Sequence, residues 1–110
     1  MEEKIFLKLD KIIHQKARLG VMSILATGGE ADFGYLKKQL GLSDGNLSTH
    51  LSILEKARYV EIKKMFVKKK PRTIARLTEK GRKAFLDHMD VLEKIIETIP
   101  GKGEEPEKRR

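Results

Sequence analysis

The sequence predicts a mainly helical domain with one small β-hairpin, an α+β fold, on three observations. Apolar residues recur at intervals of three and four over most of the chain, as on the buried face of amphipathic helices. Gly28, Gly41 and Pro100 divide these stretches. In residues 59–77 the spacing changes to an approximate alternation, which is typical of paired β-strands. We expect one domain over residues 1–100 and a disordered tail over residues 101–110.

The positive charge of the chain is concentrated in one segment. The 110 residues include 24 Lys and Arg against 16 Asp and Glu, which gives a formal net charge of +8. Residues 56–83 hold twelve basic and two acidic residues, so this segment alone carries +10. A basic segment of this density indicates a polyanionic partner.

The composition also excludes several kinds of chemistry. The chain has no cysteine, which rules out disulfides, thiolate metal sites and cysteine nucleophiles. Glu2 and Glu3 near the N-terminus, and apolar runs too short to span a bilayer, predict neither a signal peptide nor a membrane helix. We therefore expect a cytoplasmic protein. With one Asn, two Gln and 36% charged residues, the composition is typical of a thermophilic source.

Three helices are predicted in the first forty residues. Residues 4–13 place apolar side chains on one face and predict a first amphipathic helix, followed by a break at residues 14–16. A second helix over residues 17–26 ends through a glycine C-cap. Residues 30–31 leave room for only a scrap of strand, and Asp32 caps a third helix over residues 33–40.

A fourth helix, predicted over residues 43–57, carries the most informative pattern. Leu47, Leu51 and Leu54 form an apolar stripe. The opposite face, called here the polar face, consists of Gly45, Ser48, Thr49, Ser52 and Lys56. Small hydrogen-bonding side chains suit a helix that presses against base edges and phosphates in a DNA major groove. The alternative is an ordinary solvated helix rich in serine.

The predicted hairpin, residues 59–77, adds a cationic tip beside that helix. Its turn, Lys68-Lys69-Lys70-Pro71, suits contact with DNA phosphates, although lysines also protect edge strands from aggregation. The candidate DNA contacts are Ser43, Asp44, Gly45, Asn46, Ser48, Thr49, His50, Ser52, Lys56, Arg58, Lys68, Lys69, Lys70 and Arg72.

The last predicted helix, residues 78–99, carries apolar residues at heptad spacing, called here the apolar seam. Its members are Phe85, Met89, Leu92, Ile96 and Ile99. With the apolar excess at Ile5, Phe6 and Leu9, the apolar seam predicts the interface of a homodimer. Packing of the helix on its own domain is the alternative.

Several short motifs resemble those of ArsR- and MarR-type regulators. They are ARL at residues 17–19 before Met22 and Leu25, NLSTHL at 46–51, LEKA at 54–57, and LTEKGR at 77–82. The resemblance covers about residues 12–86 and extends to a small stand-alone group of bacterial and archaeal winged-helix proteins. It implies a winged helix-turn-helix transcriptional regulator that binds double-stranded DNA as a homodimer. Arg58 departs from the family, where glycine is usual, so we expect it in a left-handed conformation that costs about 1 kcal/mol.

Other functions find less support in the residues. The serines and histidines lack the spacing of a nucleophile and its base, and no glycine-rich phosphate loop is present, so we predict neither catalysis nor a cofactor. Asp87, His88 and Asp90 could bind zinc between two copies, but adjacent residues share a helix face poorly, and no metal site is predicted. A protein–protein adaptor is the alternative function, and a small-molecule effector is left open. A steep salt dependence of duplex binding separates a DNA-binding protein from an adaptor.

Overall fold

A computed structural model of the protein describes residues 3–101. A 3-10 helix, Glu3–Lys8, precedes three α-helices, two long strands and a final helix. The elements are α1 (Lys16–Gly28), β1 (Glu30–Asp32), α2 (Phe33–Leu40), α3 (Asp44–Lys56), β2 (Val60–Val67), β3 (Lys70–Leu77) and α4 (Glu79–Glu97). Within residues 3–101, no helix is both long enough and apolar enough to cross a membrane.

Side-chain caps fix where the helices begin. Asp32 caps α2 as predicted, Ser43 caps α3 and Thr78 caps α4. Each side chain accepts the backbone N–H of the residue three positions later, at 2.7, 3.1 and 2.9 Å. Gln15 does the same for α1 by accepting the N–H of Arg18 at 2.9 Å. Gly41 ends α2 in the left-handed conformation (φ 63°), which lets α3 begin after a tight turn.

The N-terminal segment differs from the single amphipathic helix predicted over residues 4–13. The 3-10 helix ends at Lys8, and the Asp10 carboxylate accepts the backbone N–H groups of Ile12 and Ile13 at 2.8 and 3.1 Å. This side-chain turn satisfies donors that a continuing helix would have used. Ile13 still enters the core and is fully buried.

The sheet is antiparallel with strand order β1-β3-β2. The very short strand predicted at residues 30–31 is β1. Its residues Glu30–Asp32 pair with Arg76, Ala75 and Ile74. The turn of the hairpin β2–β3 is shorter than the predicted four residues, because Val67 pairs with Lys70 and leaves two residues between the strands. Pro71 is tolerated in β3 because β1 does not extend beyond Ile74, so no neighbouring strand needs its missing N–H.

One hydrophobic core joins α1, α2 and α3 to the base of the hairpin. Its buried members are Ile13, Val21, Met22, Leu25, Leu36, Leu47, Leu51, Leu54, Val60 and Ala75. From α4, only Ala84 and Phe85 among the described residues pack against this cluster. The C-terminal half of α4 therefore extends away from the core.

The ends of α3, the hairpin and α4 meet at one joint. Arg58, which follows α3, has φ 65°, as expected from its place where glycine is usual. Its carbonyl accepts the Thr78 hydroxyl at 2.7 Å, and the backbone N–H of Thr78 donates to the Tyr59 carbonyl at 3.1 Å. Gly81 is buried against Tyr59 in the first turn of α4. The chain thus enters and leaves the hairpin at the same point.

Replacing Gly81 with alanine should destabilise the protein strongly. An added Cβ would overlap the backbone carbonyl oxygen of Tyr59, which the joint holds in place. We expect a loss of about 1–3 kcal/mol or more in the free energy of unfolding, measured by urea denaturation. Gly28→Ala is the matched control, because a Cβ there meets no atom within 4 Å and should leave stability equal or higher. Equal stabilities of the two variants would contradict the close packing of this joint.

Candidate nucleic-acid interface

Helix α3 exposes its polar face to solvent because its apolar stripe is buried in the core of the domain. Leu47 and Leu54 are completely buried and Leu51 is 4% exposed. These leucines fix the rotation of the helix, since turning it would bring them into water. Every member of the polar face is exposed, as the sequence predicts: Gly45, Ser48, Thr49, Ser52 and Lys56.

The polar groups of α3 differ in what they already bind. The Ser43 hydroxyl is occupied by its role as helix cap, and the Thr49 hydroxyl donates to the Gly45 carbonyl at 3.0 Å. The side-chain hydroxyl groups of Ser48 and Ser52 have no hydrogen-bond partner among residues 3–101. Their hydroxyl groups are therefore free to bind a ligand, while Thr49 keeps only acceptor capacity.

His50, a predicted DNA contact, interacts with a residue of α1. Its ring is half-buried on the flank of α3, and its Nδ1 atom lies 3.0 Å from Nη1 of Arg18 in α1. Burial, and next the charge of Arg18, lower the pKa of His50 below its usual value. A neutral His50 accepts the guanidinium hydrogen bond, so the residue ties α3 to α1. The part of His50 in DNA contact stays a prediction.

An open groove of about 400 Å³ separates α3 from the hairpin. Ser48 and Ser52 line it on the helix side, and Lys64 lines it on the strand side. Two carboxylates, Asp44 and Glu55, also line it, although only Asp44 was expected among the groove-facing residues. The Asp44 charge is paired with Lys37 at 2.8 Å, which weakens its repulsion of a polyanion.

The hairpin carries a row of unpaired cations. Lys68, Lys69 and Lys70 are exposed, and no ion pair involves them within residues 3–101. Lys63 and Lys64, lower on β2, are likewise exposed and unpaired there. Sequence reasoning counted Lys64 in the basic segment but did not place it in the site. Lys64 comes two residues after the half-buried Ile62, and residues two apart in a strand share a face. This spacing would have assigned Lys64 to the face toward α3.

Arg72, a predicted DNA contact, has a partner within the domain. Its guanidinium forms an ion pair with the carboxylate of Asp32, the cap of α2. The Tyr35 backbone N–H and Arg72 hold the pKa of Asp32 below its usual value. Arg76 similarly pairs with Glu30 at 3.1 Å. The arginines of β3 therefore anchor the hairpin to the body, and the lysines are left exposed. Arg58, at the joint, is exposed without such a pair among residues 3–101.

The predicted dimer surface divides into buried and exposed parts. Ile5 is 9% exposed because the 3-10 helix packs on α4, so this residue belongs to the interior of the protomer. Phe85 packs on the core, and Leu9, Met89 and Leu92 are half-buried. The exposed apolar residues are Phe6, Leu7, Leu86, Ile96 and Ile99, with exposures of 49, 80, 49, 41 and 53%. Leu7 and Leu86, which were not among the residues predicted for the interface, are thus exposed as well.

A hydrogen-bonded cluster around the buried His88 links α4 to the N-terminal segment and the hairpin. His88 is 1% exposed, and its Nδ1 accepts the backbone N–H of Asp10 at 3.1 Å. Its Nε2 lies 3.2 Å from Nδ1 of His14, and the Tyr59 hydroxyl donates to Asp10 Oδ2 at 2.6 Å. With Nδ1 already accepting, a neutral His88 carries its proton on Nε2 and donates to His14. No local pattern in the sequence predicts this cluster, because its partners are far apart along the chain.

The surroundings of His88 and Tyr59 favour the uncharged forms of these two side chains. Burial, and next His14, lower the pKa of His88, while Asp10 acts in the opposite direction. Burial and Asp10 raise the pKa of Tyr59 to about 12. Asp87 and Asp90, considered above as zinc ligands with His88, instead pair with Lys83 and Lys94 at 2.9 and 3.2 Å. No group of three or more metal-ligating side chains occurs within residues 3–101.

Acidification should destabilise the fold through His88. Its folded-state pKa is below the ordinary value of 6.5, so below that pH the unfolded chain takes up a proton that the folded chain does not. The free energy of unfolding should therefore fall as the pH drops from 7.5 to 5.5, by up to about 1.4 kcal/mol per pH unit. His88→Asn, which can keep an acceptor for Asp10, should flatten this dependence. His50, whose pKa is also lowered, should contribute in the same direction, so the slopes of His88→Asn, His50→Asn and the unmodified protein are compared. An unchanged slope in His88→Asn would contradict the assignment.

Comparison with known proteins agrees with this architecture. Residues 17–96 match the model of a family described as winged helix DNA-binding domain. An uncharacterized protein of Methanocaldococcus jannaschii is 39% identical over 79 residues, which make up 72% of this chain and 86% of that protein.

Solved structures show the same fold. The transcriptional regulator homologue protein from Pyrococcus horikoshii OT3 has 27% identity and a TM-score of 0.82, covering 90% of this chain and 99% of that one. Overoxidized AbfR bound to DNA has 21% identity and a TM-score of 0.63, covering 89% of this chain and 69% of that one. The α+β winged-helix fold expected from the sequence is confirmed. This chain belongs to the winged helix DNA-binding domain family, whose fold it shares with transcriptional regulators.

Proposed function

We propose that this protein is a sequence-specific transcriptional regulator that binds double-stranded DNA as a homodimer. Helix α3 lies in the major groove, and the hairpin contacts the backbone or the adjacent minor groove. The observation that carries this proposal is the groove between Ser48 and Ser52 on one side and Lys64 on the other. Free hydroxyl groups that face the unpaired ammonium group of Lys64 match base edges flanked by phosphates.

The charge distribution supports the same orientation. The lysines of the hairpin are free of ion pairs within residues 3–101, whereas Arg72 and Arg76 are paired with carboxylates of β1. Positive charge therefore remains available at the end of the hairpin away from the core. Each phosphate neutralised by such a lysine should add about −0.9 to the slope of log affinity against log salt concentration.

A homodimer accounts for the exposed apolar residues of α4 and the N-terminal segment. Ile96 lies in the half of α4 that extends away from the core, and Ile99 follows the end of that helix. Phe6 is exposed on the 3-10 helix that packs on α4. A single winged helix reads only a few base pairs. A two-fold dimer places two recognition helices about 34 Å apart and so requires an inverted repeat in the DNA.

Replacing Ser48 and Thr49 together with alanine should remove sequence preference while preserving the fold. Both side chains are exposed on a helix, and alanine favours the helical state. Sites selected from a random DNA pool with the unmodified protein provide the test duplex. We expect the double variant to lose about 1–3 kcal/mol of discrimination between that duplex and random DNA, measured by fluorescence anisotropy.

Ser23→Ala, an exposed serine on α1, is the control and should behave as the unmodified protein does. Unchanged discrimination in the double variant would refute the placement of α3. Absence of any salt-dependent duplex binding by the unmodified protein would favour a protein–protein adaptor instead.

Replacing Ile96 and Ile99 with glutamate should convert the dimer to a folded monomer. Each buried apolar side chain contributes about 1.5–3 kcal/mol, so two charges in the interface should exceed a modest association energy. Sedimentation equilibrium should detect the change, and binding to an inverted repeat should weaken with it. Ser23→Glu with Ala26→Glu adds the same charge on exposed positions of α1 and should remain dimeric. A monomeric unmodified protein at micromolar concentration would contradict the dimer.

A further inference from the structure

The tip of the hairpin carries an aromatic ring that the domain does not use. Phe66 is 77% exposed, and among the exposed large apolar side chains of residues 3–101 only Leu7 is more so. A single exposed apolar residue is ordinary on a protein surface. The position of this one is informative, because it stands next to the unpaired lysines of the turn.

The strand register assigns Phe66 to the side of the hairpin that faces α3. Directly paired residues in an antiparallel ladder share one face of the sheet. Phe66 pairs with Pro71, and the same face holds the pairs Lys64–Thr73, Ile62–Ala75 and Val60–Leu77. Nearest the core this face is buried at Val60, and further out it lines the groove opposite Ser48. Phe66 and Pro71 therefore form an apolar pair at the end of the same groove.

The turn next to this pair holds its cations in a strained conformation. Lys68 and Lys69 have φ values of 52° and 66°, the left-handed region that a two-residue hairpin turn requires and that glycine or asparagine usually occupies. Two lysines accept this conformation and keep both ammonium groups at the tip. The tip thus combines an apolar pair, Phe66 and Pro71, with three flanking charges at Lys68, Lys69 and Lys70.

We propose that Phe66, supported by Pro71, is an apolar wedge that enters the DNA minor groove beside the α3 site and partly unstacks one base step, bending the duplex. This inference rests on the proposed function and adds a residue and a DNA deformation to it. Apolar wedges flanked by cations are how minor-groove proteins kink DNA by about 20–90° toward the major groove. The wedge should act at a flexible pyrimidine–purine step, TA or CA/TG, at a fixed distance from each half-site.

The chain offers a direct reporter for this contact because it contains no tryptophan. In the full-length variant Phe66→Trp, the only indole sits at the wedge position, and stacking on bases should quench its fluorescence when the selected duplex is added. Met65→Trp is the matched control. Met65 pairs with Arg72 and so points to the opposite face of the hairpin, where its exposed indole should be little affected.

Removal of the ring tests the bend itself. End-to-end energy transfer on the selected duplex should report a bend with the unmodified protein. That bend should be lost with Phe66→Ala, whose affinity should fall by at least about fivefold, as expected for loss of an aromatic–base contact. Met65→Ala should keep both properties. Lys68→Ala with Lys69→Ala should weaken binding but preserve the bend. Because Phe66 is exposed, thermal denaturation should show an unchanged fold.

The outcomes separate the wedge from the proposed function. Salt-dependent duplex binding without a bend, or a bend that survives Phe66→Ala, overturns the wedge and leaves DNA binding intact. Equal quenching of the two tryptophan variants also overturns it. If the unmodified protein binds no duplex, the proposed function fails first, and Phe66 is then a candidate contact for a protein partner.

Discussion

The burial of three leucines on one side of α3 is the constraint on which the arrangement of the interface depends. Leu47 and Leu54 have no exposed surface, so the helix can neither roll nor slide without moving apolar area into water. The serines of the polar face are therefore positioned by groups that never touch a ligand. The hairpin begins from the same packed region, since Val60 is 2% exposed and belongs to the same core. The spacing of the two walls of the groove is thus set by the interior.

The features that could be predicted from the sequence are those encoded locally. Helix caps at Asp32, Ser43 and Thr78 and the left-handed Arg58 each depend on residues within one turn of the chain. Contacts between residues distant along the chain were not predicted. Arg72, His50 and Ile5, selected from the sequence as DNA or interface contacts, are each also held by a side chain or helix distant along the chain. Periodicity reports which face of an element is apolar, but it does not report which remote partner occupies a polar side chain. The buried His88 cluster was missed for the same reason.

The two kinds of cation in the basic segment have separate roles. Arg72 and Arg76 lie opposite carboxylates of the β1 strand, where a planar guanidinium can form directed hydrogen bonds. The lysines nearer the turn carry their charge at the ends of flexible side chains in water. Keeping that charge available requires little ordering of the side chain. Residues 56–83 carry a net charge of +10 in the sequence. This number overstates the positive charge available near the base of the hairpin, and it is a better measure of the charge at the tip. The carboxylates of Asp44 and Glu55 reduce the positive charge further at the centre of the groove.

The joint at Thr78 makes the hairpin a self-contained insertion between two helices. The strands leave at Tyr59 and return at Thr78, where a backbone hydrogen bond of 3.1 Å closes the loop. Residues could be added in pairs at the turn without changing the distance between α3 and α4. Each added pair, one residue per strand, would lengthen the hairpin by about 3.4 Å, close to the rise of one base pair along the DNA axis. Hairpin length is therefore a variable that can alter reach along a duplex independently of the core that keeps the domain folded.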